Sequence, residues 1–445
     1  MPSMQQAEAG AEQRSNGPRI KMKPAARRVL AGGVRSMSLG SPRSPPPSYA
    51  SIVTVLSIDG GDVRGIIPST ILALFDRRRQ RQCYETNTVP PRDRYSDVHG
   101  PEERLGLPVL LLLGLGDYLD VRRRYLTRAP SILWTFATGT RVPWHHKHTP
   151  VPRRSLTKGP FGLMRSMMGP KYDGEYGVPP HDRQEAPRRH TVRDTLNNVV
   201  IPTFDIKLLQ PTIFSTYNAM KDKSKNALRS DVCISMSAAP TYLPGHHFQT
   251  EGEDGKLRDF NLIDSGVAAN NPTLLAMTDV SKQILMGNKD FFPIKPADYG
   301  KFMILSLCTG TAKIEEKFDA AECSKWGLLG WLSNRAATPI IDSFIQASAD
   351  LVDIHASVLF QALHCEKRYL RIQDNELKGE AASVDVSTPE NLIRLIDVGQ
   401  ALLKRQVCKV NIETGKNEPD QNRGTNEEEL VNFARMLSEE RKARL

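Results

Sequence analysis

The chain has 445 residues, of which 39% are hydrophobic and 25% are charged, as is typical of a soluble globular protein with a sizeable core. Its 60 Lys and Arg exceed its 50 Asp and Glu, and eight Lys and Arg against two Glu in residues 1–50 supply +6 of the net charge of +10. Since the rest of the chain is nearly balanced and does not interleave basic with aromatic residues, we do not expect nucleic-acid binding.

Residues 1–50 end in the proline-rich run SPRSPPPS, and we expect them to form a disordered, basic N-terminal segment. A folded domain is predicted over residues 51–410, within which residues 83–158 are atypical because they lack any clear periodicity. Residues 411–445 are predicted to form a C-terminal linker and helix. The longest apolar run, residues 107–115, is too short to span a bilayer.

The first ordered stretch is predicted to be a strand, a glycine turn and a helix. Val53, Val55 and Leu56 belong to a short apolar run that favours a buried strand. The turn DGGDVRG follows at residues 59–65, and apolar residues then recur at helical spacing from Ile66. Backbone N–H groups at such a turn can hold an anion or a developing oxyanion. The alternative, a tight turn without a ligand, has about equal weight on this pattern alone.

The atypical segment offers one possible strand and one histidine cluster. Residues 107–115 fit either a buried strand or a short helix. His145, His146 and His148 have no neighbouring carboxylate or cysteine, so we interpret them as a solvated loop rather than a metal site. The six cysteines are widely spaced and form no C-x-x-C pair. Neither a metal nor a cofactor is therefore expected.

Beyond residue 159 strands and helices alternate, which predicts an α/β fold with a largely parallel sheet. The predicted strands are residues 199–208, 211–215, 260–264, 302–308 and 369–372. The predicted helices are residues 191–198, 231–240, 272–285, 343–363, 391–403 and 427–441. Ligands of such folds bind at the carboxyl ends of the strands. The glycine turn and Asp264 both follow predicted strands, so the sheet is expected to bring them together.

A glycine turn that offers backbone donors, together with an isolated carboxylate, suits acyl transfer. The donors would stabilise the oxyanion of the tetrahedral intermediate, and the carboxylate would accept the proton of a nucleophile. These residues alone do not provide the nucleophile.

Several ordered motifs resemble the plant members of the patatin-like phospholipase family. They are LSIDGGDVRGIIP (residues 56–68), GPKYDG (169–174), residues 197–214, 231–244 and 260–272, LSLCTGT (305–311), KWG (325–327), RYLRIQ (368–373) and VGQALL (398–403). The resemblance covers residues 51–82 and most of 159–445. It implies a three-layer α/β domain, with a largely parallel central sheet flanked by helices, and lipid acyl hydrolase activity.

The resemblance also implies a Ser–Asp dyad, in which the aspartate accepts the proton of the serine directly. Asp264 matches this proton acceptor. The residues that match the glycine-rich oxyanion loop are Gly60, Gly61, Asp62, Val63, Arg64 and Gly65. A phospholipid or galactolipid substrate, transient contact with a membrane surface and no cofactor are the corresponding expectations. The expected location is the cytoplasm, with a plastid as the alternative.

Three departures from the family pattern concern the site itself. No G-x-S-x-G motif occurs in the sequence, so the nucleophilic serine is not found, and we interpret the motif as lost or replaced within about residues 83–119. Asp62 stands where the family has glycine, and its charge is adverse beside an oxyanion. Ser265 replaces the glycine that follows the catalytic aspartate. The serines considered as substitutes, none of them on a nucleophile elbow, are Ser69, Ser96, Ser131, Ser235 and Ser237.

Three interpretations therefore stay open. The chain is a lipid acyl hydrolase, or a catalytically impaired relative that binds or stores lipid. In the third, residues 83–158 reflect incorrectly joined exons, and the natural protein carries the elbow. For the polypeptide as written we expect activity to be strongly reduced or absent, because the covalent step requires the nucleophile.

Overall fold

The protein is described here from a computed structural model, and most of the C-terminal two thirds of the chain is covered. The structure describes residues 52–85, 109–112, 169–172, 191–195, 197–291, 293–313, 318–332, 334, 338–411, 413–415 and 417–444. The predicted N-terminal segment, the histidine cluster and most of the atypical segment lie outside these residues.

The described residues form two four-stranded sheets, a two-stranded hairpin and the helices around them. The strands are β1 (Val53–Ile58), β2 (Val109–Leu112), β3 (Val200–Asp205), β4 (Gln210–Ser215), β5 (His246–Glu251), β6 (Leu257–Ile263), β7 (Phe302–Leu307), β8 (Tyr369–Ile372), β9 (Cys408–Val410) and β10 (Asn417–Pro419). The α-helices are α1 (Ile66–Glu85), α2 (Thr216–Lys221), α3 (Arg229–Met236), α4 (Gly266–Ala269), α5 (Thr273–Leu285), α6 (Ala320–Cys323), α7 (Leu328–Leu332), α8 (Pro339–Ala362), α9 (Pro389–Lys404) and α10 (Asn426–Arg444). None of these described helices combines the length and the apolar character that crossing a bilayer requires.

The first sheet consists of four parallel strands in the order β2-β1-β7-β8. Every residue of β1 and β7 is buried, in agreement with their almost wholly apolar sequences VTVLSI and FMILSL. The register aligns Ser57 with Ser306, and Ser306 with Arg371, so three polar residues lie side by side near the carboxyl ends. The prediction of an α/β fold with a parallel sheet is confirmed.

Alternate residues of β1 and β7 contribute to two separate groups of buried side chains, because side chains along a strand alternate in direction. One group joins Leu56 and Leu305 with residues of α1, α9 and α10. The other joins Val55 and Ile304 with residues of α5 and α8. Both sets of strand side chains are thus covered by helices.

The second sheet is antiparallel, with the order β4-β3-β6-β5. The hairpin of β3 and β4 agrees with the two strands predicted at residues 199–215. Strand β5 was not predicted, because its sequence HHFQTE is polar and every second residue is exposed. Its Phe248 stacks on Phe260 of β6, with 4.9 Å between the ring centroids. The parallel arrangement expected from the sequence therefore does not extend to this sheet.

The helix predicted at residues 191–198 is wrong, since only the short 3-10 turn Val192–Asp194 forms there. The Asp194 carboxylate accepts hydrogen bonds from the N–H and the hydroxyl of Thr191, each at 2.8 Å, which closes a single turn. The backbone leaves the turn at Thr195 in an extended conformation. A capping box at the start of the segment is thus satisfied without a following helix.

The C-terminal helix α10 packs against α1. Its Leu430, Phe433 and Ala434 belong to the same group of buried residues as Ile67 of α1. The carboxylate of Glu440 accepts a hydrogen bond from the N–H of Ile52 at 3.2 Å. This helix therefore shares the core that covers the start of β1.

Candidate active site

The glycine turn after β1 is hydrogen-bonded to three distant segments of the chain. The N–H of Asp59 donates to the carbonyl of Leu307 at 3.0 Å, and that of Gly60 to the carbonyl of Asn270 at 3.0 Å. The N–H of Val63 donates to the carbonyl of Val384 at 3.1 Å. The turn is thus fixed in place by β7, by the segment after α4 and by the segment before α9.

These bonds limit which predicted oxyanion donors are available. The N–H groups of Gly60 and Val63 are engaged as described, and that of Arg64 donates to the carbonyl of Gly61 at 3.0 Å. The N–H of Gly61 makes no hydrogen bond to the described residues. In this arrangement Gly60, Val63 and Arg64 cannot all present free N–H groups to one oxyanion.

Gly61 and Asp62 adopt backbone conformations that a side chain disfavours. A Cβ added to Gly61, whose φ is 158°, would overlap the side chain of Thr309. The hydroxyl of Thr309 itself donates to the carbonyl of Gly60. Asp62 has φ 47°, in the left-handed region that glycine adopts at little cost. Asp62 is therefore held in a backbone conformation that suits glycine better than a residue with a side chain.

Arg64 is half-buried beside this turn. Its Nη1 donates to the carbonyl of Gly310 at 2.8 Å, while its buried Nε makes no hydrogen bond. Burial lowers the pKa of the Arg64 guanidinium, and the nearby carboxylate of Asp62 is among the groups that oppose this effect. The guanidinium thus lies close to Asp62 at the predicted oxyanion loop.

Asp264 lies directly after β6 and before α4, at the end of a strand as predicted. It is half-buried, its carboxylate accepts a hydrogen bond from the N–H of Gly266, and its own N–H donates to the carbonyl of Ala238 at 3.1 Å. Burial raises the pKa of Asp264 to about 6, although the bond from Gly266 acts in the opposite direction. The carboxylate is therefore a stronger base than an exposed aspartate, and it is still mostly ionised at neutral pH.

Asn270 connects the glycine turn to the Asp264 turn. Its carbonyl accepts the N–H of Gly60, and its side-chain Oδ1 would lie 2.8 Å from a Cβ placed on Gly60. The same Oδ1 would lie 3.7 Å from a Cβ placed on Gly266, which in turn contacts Asp264. The glycine turn and the turn that contains Asp264 therefore both lie next to Asn270. The sequence did not reveal this role of Asn270.

A buried ion cluster includes Asp59, the first residue of the glycine turn. The guanidinium of Arg371 binds both oxygens of Asp59, at 2.8 and 2.6 Å, and its Nε lies 3.2 Å from Asp353. Arg371 also donates to the hydroxyl of Ser306 at 2.8 Å, and Asn271 donates to Asp353 at 2.7 Å. The cluster therefore connects the start of the turn, directly after β1, with β7, β8 and α8.

Two carboxylates share one guanidinium in this cluster. Burial raises the pKa of Asp353 to about 6, although Arg371 lowers it. Burial disfavours the charged form of Arg371, but the adjacent carboxylates of Asp353 and Asp59 raise its pKa well above the ordinary value. Sequence reasoning assigned no role to these residues. An arginine inside the short buried strand YLRI was the available signal.

Strand β2 lies where the strand before a nucleophile elbow is expected. It pairs in parallel with β1, and Leu112 is opposite Ser57. Of the two alternatives predicted for residues 107–115, the strand is therefore correct. The following residues, LGLGD at 113–117, lie outside the described part of the chain and contain no serine.

The serines considered as substitutes fall into two groups. Ser69, Ser235 and Ser237 are buried, and each hydroxyl donates to a carbonyl of its own helix segment, at 2.8, 2.7 and 2.7 Å. A hydroxyl in that position is not exposed to a substrate. Ser96 and Ser131 lie outside the described residues. Within those residues, no group of three or more His, Cys, Asp or Glu side chains is arranged to hold a metal ion.

Similarity to known proteins identifies the family. No protein-family model matches the chain. The chain is 44% identical to "Patatin-like protein 1" of Oryza sativa subsp. indica, over 92% of this chain and 94% of that protein. It is 45% identical to "Patatin-like protein 2" of Arabidopsis thaliana, over 92% and 97%, and 34% identical to "Probable inactive patatin-3-Kuras 1" of Solanum tuberosum, over 92% and 98%. Identities of 44 and 45% over more than nine tenths of both chains show that this chain belongs to the plant patatin-like proteins.

Proposed function

We propose that this chain is a lipid acyl hydrolase of the patatin-like type that has lost most or all of its activity. The observation that carries the proposal is the position of Asp264. Its carboxylate, with a pKa of about 6, adjoins the glycine turn through Asn270, as a proton acceptor beside an oxyanion loop requires. The segment directly after β2, LGLGD at residues 113–117, lacks the nucleophilic serine that such a site requires.

In a complete site of this type, a serine attacks the ester carbonyl while Asp264 accepts the hydroxyl proton. Backbone donors then stabilise the negative oxygen of the tetrahedral intermediate. Without the serine the acyl-enzyme cannot form, and hydrolysis would depend on a water molecule activated by Asp264. The engaged N–H groups of Gly60 and Val63, and the carboxylate of Asp62, weaken oxyanion stabilisation further.

The proposed ligand is a phospholipid or galactolipid that reaches the site from a membrane surface, with which contact is transient. No cofactor and no nucleic acid take part in the proposal. The proposed location is the cytoplasm, with a plastid as the alternative.

We also propose that the domain is arranged in three layers, with the parallel sheet between two sets of helices. The two groups of buried side chains support this arrangement. Leu56 of β1 faces α1, α9 and α10, whereas Val55 faces α5 and α8. Neighbouring residues of a strand point to opposite faces of the sheet.

A second candidate function is lipid binding or storage without catalysis. The missing serine favours it, and so does the 34% identical relative from Solanum tuberosum, which is named as a probable inactive patatin. A protein with this function would retain the fold and the lipid-contacting surface, but its site would no longer hydrolyse lipid.

The experiment that tests the main proposal measures hydrolysis of p-nitrophenyl butyrate and of a phospholipid by the full-length protein. We expect a rate close to that of buffer alone, and no further decrease in the Asp264→Ala variant. Clear turnover that disappears in Asp264→Ala would contradict the loss of activity and would show that Asp264 activates either another side chain or a water molecule as the nucleophile.

A further inference from the structure

The long helix α8 extends past the edge of the parallel sheet that carries the candidate site. Near its C-terminus, Phe360 stacks on Tyr369 at the start of β8, with 5.3 Å between ring centroids. Further back along the helix, Asp353 contacts Arg371, close to the carboxyl end of the same strand. The helix therefore runs antiparallel to β8, and its earlier residues lie beyond the carboxyl edge.

The length of this extension follows from helix geometry. Fourteen residues separate Asp353 from Pro339, the first residue of α8. At about 1.5 Å per residue they extend roughly 20 Å beyond the ion cluster. The short helix α7 packs against α8. Both elements therefore lie on the side of the molecule to which the glycine turn and Asp264 belong.

An apolar surface covers these two elements. We define the α7–α8 surface by Leu328, Leu329, Leu332, Phe344 and Leu351, whose exposed fractions are 76, 72, 44, 71 and 54%. Phe344 and Leu351 are seven residues apart and thus share one face of α8. Large apolar side chains with such exposure, grouped on two helices that pack together, are typical of a binding surface.

The composition around α7 is typical of a segment that enters a lipid interface. The helix sequence LLGWL contains no charged residue, and Lys325 lies just before it. Trp331 packs edge-on against Trp326, with 5.3 Å between ring centroids. Indole rings favour the boundary between acyl chains and head groups, because they combine an apolar ring with one N–H donor.

The surface also lies close to the proposed catalytic residues. Helix α8 contacts α4, which begins two residues after Asp264 and carries Val267, exposed by 47%. A lipid layer that contacts the α7–α8 surface would face the same edge of the sheet as the site.

We propose that the α7–α8 surface is the face by which the protein docks onto a phospholipid bilayer. This inference rests on the proposed lipid-directed function, but it does not require catalysis. Leu328, Leu329 and Phe344 enter the outer part of the bilayer, and the tryptophans lie at the head-group level. Because the five described residues that define the surface are all apolar, we expect binding to depend on apolar insertion rather than on charge.

The test is flotation of the full-length protein with phosphatidylcholine vesicles. The Leu328→Ser, Leu329→Ser, Phe344→Ser triple variant should bind at least about tenfold more weakly than the wild type. Raising the salt to about 0.5 M NaCl should change wild-type binding by less than about threefold, since screening acts on charges and not on apolar contacts. A single Phe344→Ser variant should show a smaller decrease, and it keeps the test decisive if the triple variant does not fold.

The far end of α5 provides a matched control. Thr273 at its start lies 2.9 Å from the hydroxyl of Ser57, near the carboxyl ends of the strands. Leu285 and Met286 lie at its opposite end, and are exposed by 74 and 62%. A Leu285→Ser, Met286→Ser variant removes exposed apolar side chains about 18 Å further along the helix, and it should bind vesicles like the wild type.

Four results would overturn the inference. They are absence of wild-type binding, equal binding by the triple variant, an equal loss in the α5 control, and a wild-type dimer that the triple substitution dissociates. The last result would identify a second copy of the chain as the occupant. The soluble p-nitrophenyl ester needs no docking surface, so its hydrolysis tests the proposed catalytic state separately from the docking face.

Discussion

Asp62 lies in the glycine turn that we propose as the oxyanion loop. The sequence identified it as adverse because it places a carboxylate beside the oxyanion position. The structure adds a left-handed backbone with φ 47°. By contrast, the engagement of the Gly60 and Val63 donors was not predictable, because their acceptors, Asn270 and Val384, are more than 200 residues away in the sequence.

The strain at Asp62 predicts an unusual order of stabilities. We expect Asp62→Gly to be at least as stable as the wild type, because glycine adopts the left-handed region without the steric cost of a Cβ. We expect Asp62→Ala to be less stable by about 1 kcal/mol, because alanine keeps the Cβ but loses the local hydrogen bonding that aspartate offers. Thermal unfolding of the three proteins measures the order, and an alanine variant more stable than the glycine variant would contradict it.

Asp264 predicts a pH dependence of stability with a definite sign. Burial raises its pKa from 3.8 to about 6 in the folded protein. The folded state therefore binds the proton more tightly, so this contribution to stability is complete below about pH 4 and is lost as the pH rises through 6. Asp264→Asn removes the buried charge while it keeps an oxygen that can accept the Gly266 N–H.

The expected result is that Asp264→Asn is more stable than the wild type at pH 8, by about 3 kcal/mol, and of equal stability near pH 4. Melting temperatures of both proteins across this range provide the measurement. A difference that does not change with pH would mean that the substitution acts through packing and not through the carboxylate charge.

At the scale of single elements, the sequence predicted the strands and helices whose buried residues form a clear apolar pattern. Strands β1 and β7 are almost wholly apolar runs, and α5 begins next to Pro272 as predicted. Helix α8 begins at Pro339, four residues before its predicted start. Strand β5 was missed because a half-exposed strand of polar residues gives no apolar run. The helix at residues 191–198 was overpredicted, since a capping box can close a single turn.

Arg371 connects strand β8 to Asp59 and to Asp353 of α8. Removing the guanidinium leaves Asp59 and Asp353 as two buried charges without a counter-ion, which costs about 3–5 kcal/mol when a partner of a buried pair is removed. We therefore expect Arg371→Ala to be poorly folded or to melt far below the wild type. Arg371→Lys should also be destabilised, because an ammonium group cannot bind both oxygens of Asp59 in parallel.

Asp353→Asn is the matched control for these variants. With a pKa of about 6, Asp353 is about half protonated at pH 6, and asparagine can still accept the hydrogen bond from Asn271. Its melting temperature at pH 6 should stay near that of the wild type. A loss as large as that of Arg371→Ala would show that Asp353, and not Asp59, is the essential partner of the arginine.

For the whole molecule, the sequence predicted the α/β fold class and the parallel sheet, but it did not predict the second, antiparallel sheet. The pairing of β3 with β6 joins segments about 60 residues apart, and no local pattern encodes such a partner. The same limit applies to the candidate site. Gly60 and Asp264 were each identified from short motifs, whereas Asn270 and the ion cluster, which hold them in place, depend on the completed fold.

The missing elbow leads to a prediction about the gene and not about the fold. Strand β2 already lies beside β1, so a serine turn after Leu112 would have the topology that an acyl hydrolase needs. If exons were joined incorrectly, sequencing the transcript across codons 83–158 will reveal a G-x-S-x-G motif after a strand. A transcript that matches the present sequence would instead establish that the loss belongs to the protein.

The ion cluster also has a consequence for the order in which the protein forms during its synthesis. Asp59 and Arg371 are 312 residues apart, so nearly the whole chain must leave the ribosome before the first strand acquires its counter-ion. Until β7 has been made, β1 also lacks this neighbouring strand, and its apolar residues are exposed to other chains. A nascent chain that stops before Tyr369 keeps the glycine turn without its support. Strand β1 is therefore made early, but the ion pair at its carboxyl end is among the last contacts to form.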